Sequence, residues 1–324
     1  MIATAPGKLM LTGEYAVLDG APALMIAVDR RVVARIPTPA PRGSSPFLLA
    51  VVDELAERGL HDAAARAMTV AVDSSSFYAG AMKLGFGSSA AVTVAATARA
   101  LASESSTATD LDRDLVHTIA AAAHARAQGA KGARGSGADV ATSTFGGAIE
   151  FAMGAPIGRK RWPDSVVVVP YFTGASADTA VLVQRVAAAR ESQRVAVDAA
   201  LRAVADASRA ACDAISMRDA SLVAGATIGA LQLAAAATDR LATATGAPLV
   251  PDAVIQIRKR LHSLGGTTKT TGAGGGDVAI AVIPAARDRA EDRIAVQRYI
   301  IEQGCTPLTV AVDPSGVDLR PVAQ

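Results

Sequence analysis

The sequence predicts an α+β protein with two domains. Two observations indicate this class. β-branched segments alternate with helical ones in the first half, and an alanine-rich stretch from 178 to 245 has helical periodicity and few breakers. The strand-rich sequence gives way to long helices near 165–178, so we expect domains at 1–165 and 166–324. A length of 324 residues suits one large domain or two medium ones.

The first half is expected to begin with short strands around a turn at 14–20, because its β-branched residues come in short runs. Its predicted strands are 9–11, 23–28, 32–36, 68–73 and 148–153. Its predicted helices are 47–58, 90–104, 110–128 and 139–144. Loops are predicted at 37–46, which is rich in proline, and at 74–87.

The second half is expected to hold two or three helices between 178 and 245, packed through small side chains. Gly225, Gly229 and the lack of a leucine heptad argue against a coiled coil there. Four consecutive valines predict a buried strand at 166–172. The remaining predicted elements are a helix at 251–264, a strand at 278–283, a helix at 286–303 and a strand at 308–312.

The composition supports a large core and limits the classes of partner. Hydrophobic residues make up 51% of the chain and aromatic residues only 3%, so we expect a core of small aliphatic side chains. The 32 basic and 30 acidic residues give a net charge of +2. That balance gives no reason to expect a nucleic-acid partner, and an anionic ligand must be held by locally placed groups.

The sequence favours a cytoplasmic protein. Cys212 and Cys305 lack metal-ligand spacing and are interpreted as reduced structural thiols. The N-terminus lacks the charged start and apolar core of a signal peptide. Charged or polar residues interrupt the apolar runs before about 18 residues, so no membrane span is expected. The oligomeric state is left open, with a homodimer as one option.

The stretch 83–91, K-L-G-F-G-S-S-A-A, is the most informative local feature because it precedes a helical run. The free amides and the dipole at the start of a helix attract anions. Gly85 and Gly87 would let a phosphate approach the backbone. Ser88 and Ser89 can cap the helix, bind phosphate or hold a metal. A capped helix after a turn is the alternative for this loop taken alone.

Further glycine clusters at 129–139 and 271–277 each lie beside a regular element. The segment A-P-G-K-L-M-L-T-G-E-Y-A-V-L-D-G at 5–20, the loop at 85–91 and the cluster at 271–277 together resemble the three motifs of the GHMP kinase superfamily. This resemblance implies ATP-dependent phosphoryl transfer with Mg²⁺ to a small anionic substrate. It also implies an N-terminal ribosomal-S5-domain-2-like α/β domain and a C-terminal ferredoxin-like α/β domain, with the active site between them.

Within the superfamily, the sequence most resembles the phosphomevalonate kinase family. Lys83 stands before the glycine loop, and A-Q-G at 127–129 with G-S-G-A-D at 135–139 is similar to that family's pattern. Mevalonate kinases usually have a metal-binding glutamate where this chain has Gln128, which leaves the second protein ligand to magnesium open. The resemblance implies phosphoryl transfer to 5-phosphomevalonate, giving 5-diphosphomevalonate and ADP.

The same resemblance assigns roles to individual residues. Asp139 and Lys8 are predicted to be the catalytic pair, which orients the acceptor and shields developing charge. Ser89 is the predicted magnesium ligand. The residues predicted to bind the nucleotide are Lys83, Gly85, Phe86, Gly87, Ser88, Ser89 and Ala90. The residues predicted to bind the substrate are Lys8, Tyr15, Ser136, Gly137, Asp139, Thr271, Gly272, Ala273 and Gly274.

The acceptor determines what Asp139 must do. A phosphate monoester has its second pKa at about 6 and is mostly dianionic at neutral pH. We therefore expect Asp139 to place Lys8 and the substrate, with proton removal secondary. Simpler roles are also open, since Asp139 could be only a helix N-cap and Lys8 a solvated lysine. The amides of 272–276 are expected to form an anion nest, with a tight turn as the alternative.

Several other charged residues have open roles. Four cations border glycine loops, and each can be a solvated charge or a ligand contact: Lys83, Lys131, Arg134 and Lys269. His117 and His124 lie on one predicted helix without a ligand-type partner at suitable spacing, and they are interpreted as solvated or core histidines.

Rival functions share the same motifs. A mevalonate kinase or another GHMP kinase acting on an alcohol is the main alternative. A diphosphomevalonate decarboxylase has the same fold and also consumes ATP. A sensor that binds ligand without turnover is the non-enzymatic alternative.

Overall fold

The computed structural model describes residues 1–37, 45–80, 82–103, 110–130, 135–285 and 289–321. Most of the loop predicted at 37–46 lies outside these residues, as do Lys131 and Arg134. The strands are β1 (Ile2–Thr12), β2 (Ala23–Arg35), β3 (Ala71–Asp73), β4 (Tyr78–Ala79), β5 (Met82–Lys83), β6 (Ala148–Phe151), β7 (Gly158–Lys160), β8 (Val166–Phe172), β9 (Thr267–Thr270), β10 (Val278–Pro284), β11 (Thr306–Pro307) and β12 (Asp318–Arg320). The helices are α1 (Pro46–Glu57), α2 (His61–Ala67), α3 (Ser88–Leu101), α4 (Arg113–Gly129), α5 (Ala138–Phe145), α6 (Thr179–Ser192), α7 (Arg194–Ala214), α8 (Ala220–Thr245), α9 (Asp252–His262) and α10 (Arg289–Glu302).

The chain forms two compact units that are interleaved in sequence. The first unit comprises Met1–Leu9, Ile26–Ile149 and Ala311–Gln324. The second unit comprises Met10–Met25 and Glu150–Val310. This division differs from the expected domains at 1–165 and 166–324, since the C-terminal segment returns to the first unit, where β12 pairs with β1.

The first unit is built on a sheet in which β12, β1, β2 and β6 follow one another, and β3 pairs with β2. The guanidinium of Arg31 holds the C-terminal segment to this sheet. It forms an ion pair with Asp313 and donates to the carbonyl oxygens of Thr4, at 3.1 Å, and Gly316, at 2.6 Å. A planar group with five donors suits such a junction of several acceptors.

Helices α1 to α4 of the first unit share one apolar core. Its members are mostly small, as the alanine-rich composition predicts: Ala50, Val51, Leu55, Ala63, Ala64, Ala67, Ala100, Ile119, Ala123 and Ala127. Helix α2 was not predicted, because its seven residues are too few to show a helical period.

The second unit contains a four-stranded sheet in the order β11-β8-β10-β9. Its central pair is antiparallel, from Val278 opposite Phe172 to Pro284 opposite Val166. Alternate residues of β8 and β10 pack against α9 and α10. The order along the chain is strand, helices, strand, strand, helix, strand, which is that of a ferredoxin-like domain. The three helices found between 178 and 245 agree with the prediction.

Helix α8 is long and apolar enough to cross a membrane on length and composition alone. Core helices of soluble proteins have the same property, and α8 packs against α7 and β9. Its buried residues include Ile228, Leu231 and Leu241. These contacts bury part of its apolar surface, whereas Leu222 and Leu233 of the same helix are exposed.

The strand predicted at 308–312 is wrong. The strand in this part of the chain, Thr306–Pro307, ends before residue 308, and Val312 makes an isolated bridge with Val28. The reason is a change of partner: the amide of Leu308 donates to the carbonyl of Pro170, whereas the amide of Ala311 donates to the Asp29 carboxylate. A segment that changes partner within a few residues does not form a continuous ladder.

Both cysteines are buried free thiols, as expected. Burial raises the pKa of the Cys212 thiol to about 12 and also raises that of Cys305. Neither thiol is in a setting that favours the reactive thiolate.

Candidate active site

The glycine loop of the first unit leaves the start of α3 open. Gly85 and Gly87 have φ angles of +72° and +74°, and Gly87 is the N-cap of the helix. No side chain caps α3. The amides of Ser88, Ser89 and Ala90 lie in its first turn, where N–H groups have no carbonyl partner within the helix. The serines are therefore not helix caps, and this turn can bind an anion.

The side chains of this loop differ in exposure. Phe86 is 1% exposed, so its ring anchors the loop in the core and only its backbone can face a ligand. Ser88 is also buried, whereas Ser89 is half-buried and Lys83, at the end of β5, is exposed. Ser89 thus offers the more accessible hydroxyl of the two.

Lys8 crosses the glycine loop. Its backbone amide donates to the carbonyl of Phe86 at 2.9 Å. A Cβ atom added to Gly87 would lie 2.7 Å from Cε of Lys8 and 3.1 Å from its Cγ, so the lysine stem lies directly over the glycine. Lys8 is half-buried rather than a solvated surface lysine, and it brings a positive charge to the anion-binding turn. Its predicted pairing with Asp139 stays a prediction.

Asp139 lies in the first turn of α5 and is not its N-cap. The N-cap is Gly137, with a φ of +90°, and the hydroxyl of Ser136 accepts the amide of Ala138 at 3.3 Å. Oδ1 of Asp139 accepts the amide of Val140 at 3.0 Å. The side chain is 23% exposed. Since capping does not account for Asp139, its second oxygen remains available for other contacts.

One ring nitrogen of His124, on α4, lies close to both Ser89 and Asp139, and the sequence did not indicate this arrangement. Its Nε2 atom lies 3.2 Å from Oγ of Ser89 and 4.0 Å from Oδ2 of Asp139. The ring is 2% exposed and stacks on Phe47 with centroids 5.2 Å apart. His124 is thus a core histidine, as interpreted, but a core histidine inside the site. No local pattern in the sequence indicates this, because Ser89 is 35 residues away.

The other histidine of α4 has a different setting. The ring of His117 lies against Phe145, with centroids 5.3 Å apart. Burial lowers the pKa of His117.

The oxygens of this cluster fit magnesium. Oγ of Ser89 and Oδ2 of Asp139 both lie within 4.0 Å of one ring nitrogen. The part of the chain that the structure describes has no cluster of three metal-ligating side chains. Mg²⁺ prefers oxygen ligands and keeps several waters, so it needs few protein ligands beside nucleotide phosphates.

Gln128 packs against Gly135, where an added Cβ atom would lie 2.3 Å from Oε1 of Gln128.

The glycine loop of the second unit is partly closed by its own hydrogen bonds. The amides of Gly274 and Gly275 donate to the carbonyls of Thr271, at 3.3 Å, and Leu249, at 2.7 Å. The Thr271 hydroxyl donates to the carbonyl of Val278 at 2.8 Å. A nest using every amide from 272 to 276 is therefore not formed in this conformation. The backbone at Gly274 also packs closely on Leu249, since a Cβ atom there would lie 2.5 Å from the Leu249 carbonyl oxygen.

Tyr15 holds this second loop. Its hydroxyl donates to the carbonyl of Ala273 at 2.6 Å, and its φ of +61° is unusual for a non-glycine residue. Burial raises the pKa of Tyr15, and the adjacent charge of Glu14 adds to the effect. The side chain of Tyr15 thus bonds to the backbone of the loop that holds the other predicted substrate residues at 271–274.

Lys269 is a buried ion-pair partner and not a solvated loop cation. It is 1% exposed and pairs with Glu14, which is 5% exposed. Its Nζ also donates to the carbonyl of Thr270 at 2.7 Å. Sequence analysis missed this pair because the two residues are 255 positions apart.

Comparison with known proteins identifies the fold. Residues 48–147, all in the first unit, match the family model described as GHMP kinases N terminal domain. The structure is similar to a Lin0012 protein from Listeria innocua, with a TM-score of 0.78, 18% identity and coverage of 98% of this chain and 99% of that one. No curated protein sequence matches the chain significantly.

Two kinases of known name have similar structures. Streptococcus pneumoniae phosphomevalonate kinase, in complex with phosphomevalonate and AMPPNP, has a TM-score of 0.76 at 17% identity, covering 96% of this chain and 99% of that one. L. major mevalonate kinase, in complex with R-mevalonate, has a TM-score of 0.66 at 18% identity, covering 99% and 96%. The predicted GHMP kinase fold is confirmed.

Proposed function

We propose that this chain, which carries the N-terminal domain and the fold of the GHMP phosphotransferases, transfers the terminal phosphoryl group of ATP to 5-phosphomevalonate. The products would be 5-diphosphomevalonate and ADP. One observation carries the proposal. The start of α3 has no side-chain cap, the stem of Lys8 lies over its N-cap glycine, and His124, which contacts this turn, is 4.0 Å from Asp139. Phosphoryl transfer depends on placement and charge neutralisation, which these groups supply.

Each group has a proposed role. The amides of Ser88, Ser89 and Ala90 hold nucleotide phosphates without adding a full charge. Lys8 neutralises charge that develops on the transferred group. Oγ of Ser89 would hold magnesium, which would supply positive charge to offset that of the nucleotide phosphates.

Asp139 orients the acceptor. The phosphate of 5-phosphomevalonate is mostly dianionic at neutral pH, so its oxygen attacks without a general base. Compare the pH–rate profiles of the wild type and Asp139→Asn. An acid limb that is lost in the variant, and that does not belong to the substrate phosphate, would show that Asp139 acts as a base.

The choice of acceptor rests on two supports. The A-Q-G and G-S-G-A-D segments resemble those of phosphomevalonate kinases, and Gln128 stands where mevalonate kinases usually have glutamate. A phosphomevalonate kinase is also among the similar structures. A mevalonate kinase is among them too, so the acceptor has to be tested directly.

A coupled ADP-release assay with 5-phosphomevalonate and mevalonate, each with and without magnesium, tests the proposal. We expect magnesium-dependent ADP release with 5-phosphomevalonate and much less with mevalonate. The opposite preference would identify an alcohol kinase. Carbon dioxide release from 5-diphosphomevalonate would identify a decarboxylase, and nucleotide binding without ADP release would identify a sensor.

The enzyme would act in the cytoplasm on a small anionic substrate, without nucleic-acid or membrane partners. Its assembly as a monomer or a homodimer can be read from its mass in solution.

A further inference from the structure

We propose that His124 is a positioning residue. It accepts a hydrogen bond from the hydroxyl of Ser89, which leaves the lone pairs of that oxygen free for the nucleotide-bound metal. The inference rests on the proposed function only in that it assumes a magnesium–nucleotide ligand at the start of α3. It does not depend on which acceptor is used.

The distances select one partner for the ring. Nε2 lies 3.2 Å from Oγ of Ser89, which is hydrogen-bond range, and 4.0 Å from Oδ2 of Asp139, which is beyond it. One ring nitrogen offers either one proton or one lone pair, so it makes one good hydrogen bond at a time. Ser89 is therefore the partner of His124 in this conformation, and Asp139 is its neighbour.

The direction of the bond follows from the chemistry of a metal ligand. A serine hydroxyl has one proton and two lone pairs. A magnesium ion needs a lone pair, so the proton must point elsewhere. Nε2 can accept that proton when the ring proton is on Nδ1. Donation in the opposite sense would use one of the lone pairs and leave the hydroxyl proton free to face the metal.

The surroundings of the ring hold it in place. His124 is 2% exposed, and Phe47 stacks on it with an interplanar angle of 23°. A buried polar ring needs a hydrogen-bond partner, and Ser89 provides one. Because the ring plane is fixed by packing, Nε2 stays directed at the start of α3.

The decisive variant is His124→Phe, which keeps an aromatic ring against Phe47 and removes the nitrogen. Binding of ADP is measured by calorimetry with and without magnesium, and thermal unfolding is measured in parallel. We expect metal-free ADP to bind as in the wild type, because the amides are unchanged. The gain in affinity from magnesium should fall by roughly tenfold, as for other residues that orient a metal ligand.

Three further tests separate positioning from packing. His124→Gln, whose amide oxygen can accept the same proton, should restore part of the magnesium gain. His117→Phe is the matched control, since His117 is on the same helix but packs against Phe145, and it should leave the gain unchanged. In a Ser89→Ala background, replacing His124 should have no further effect on the gain.

Several results would overturn the inference. One is a His124→Phe variant that keeps the full magnesium gain. Another is equal weakening of metal-free and magnesium-bound ADP, which indicates a packing role. If His124→Phe does not fold, the cycle of His124→Gln with Ser89→Ala decides in the same way, and additive effects would contradict the coupling. Because no acceptor is present, failure on 5-phosphomevalonate leaves this measurement valid.

Discussion

The polar side chains around the two glycine loops of this protein differ in how deeply they are buried and how closely they are paired. In the first unit, Nε2 of His124 is hydrogen-bonded to Ser89 at 3.2 Å and lies 4.0 Å from the Asp139 carboxyl, which is 23% exposed. In the second unit, Glu14 and Lys269 form an ion pair with exposures of 5% and 1%. Tyr15 there bonds directly to the loop at 2.6 Å.

The difference in burial distinguishes side chains that stabilise the fold from side chains that can contact a ligand. A buried ion pair is tolerated only when its geometry is good and its remaining atoms are bonded, and removing one partner is strongly destabilising. The 4.0 Å separation between His124 and Asp139 leaves Oδ2 of Asp139 able to take another partner when a ligand binds. We therefore expect changes in the second cluster to act on stability, and changes in the first to act on catalysis.

The largest effect is expected from Lys269→Met. It leaves the Glu14 carboxylate buried without its cation, which should lower the free energy of unfolding by about 3–5 kcal/mol. Denaturant unfolding measures this loss. Lys259→Met, which removes an exposed lysine of α9, is the control and should change stability by less than about 0.5 kcal/mol.

A double variant, Glu14→Gln with Lys269→Met, sharpens the test. Removing both charges should recover much of the lost stability, because no uncompensated charge remains. A Lys269→Met variant as stable as the wild type would show that the second cluster is not a structural support.

Asp139→Asn should show the opposite pattern. We expect kcat to fall by about 10²-fold, because the amide no longer offers a negative charge to place Lys8 and the acceptor. The free energy of unfolding should change by less than about 1 kcal/mol, since the side chain is partly exposed. Steady-state rates and denaturant unfolding on the same preparation check both statements. A large loss of stability with little change in rate would erase the contrast between the clusters.

Gly87→Ala should have an intermediate effect. Its φ of +74° strains any other residue by about 1 kcal/mol or more, and a Cβ atom there would also collide with the stem of Lys8. Gly59→Ala is a matched control, because Gly59 has the same φ and open space around it. We expect both variants to lose stability, and only Gly87→Ala to raise the KM for ATP. Equal kinetics in the two variants would contradict the contact between Lys8 and the loop.

Local signals in the sequence predicted much of the fold. Helices α1, α3 and α4 follow from apolar periodicity, and β8 and β10 follow from runs of valine and isoleucine. The segment 308–312 was predicted as a strand because it is also apolar, but its hydrogen-bond partners change along its length. Strand propensity does not determine which residues a segment pairs with.

The site divides in the same way. The glycine loops could be predicted because Gly85 and Gly87 have the positive φ angles that their positions require. His124 and the pair of Glu14 with Lys269 could not, because their partners are 35 and 255 residues away. A charged residue near a loop in sequence looks solvated until the fold supplies its partner.

Tyr15→Phe should have the smallest effect and tests whether the second cluster is only a support. Loss of the hydrogen bond to the carbonyl of Ala273 should lower the free energy of unfolding by about 1 kcal/mol near neutral pH. The pKa of Tyr15 is raised in the folded state, whereas in the unfolded chain it has its ordinary value of 10.0. Above pH 10 the unfolded chain therefore loses this proton while the folded protein keeps it. Its contribution is therefore present below pH 10 and lost as pH rises above it.

Denaturant unfolding at pH 7 to 11 measures both parts of this prediction. Stability of the wild type should fall above pH 10, and Tyr15→Phe should fall less steeply. Tyr171 also has a raised pKa through burial, so Tyr171→Phe is the control for a tyrosine that does not hold the loop. If Tyr15→Phe instead keeps its stability and loses most of its kcat, then Tyr15, like Asp139, acts in the reaction, and the second loop takes part in it.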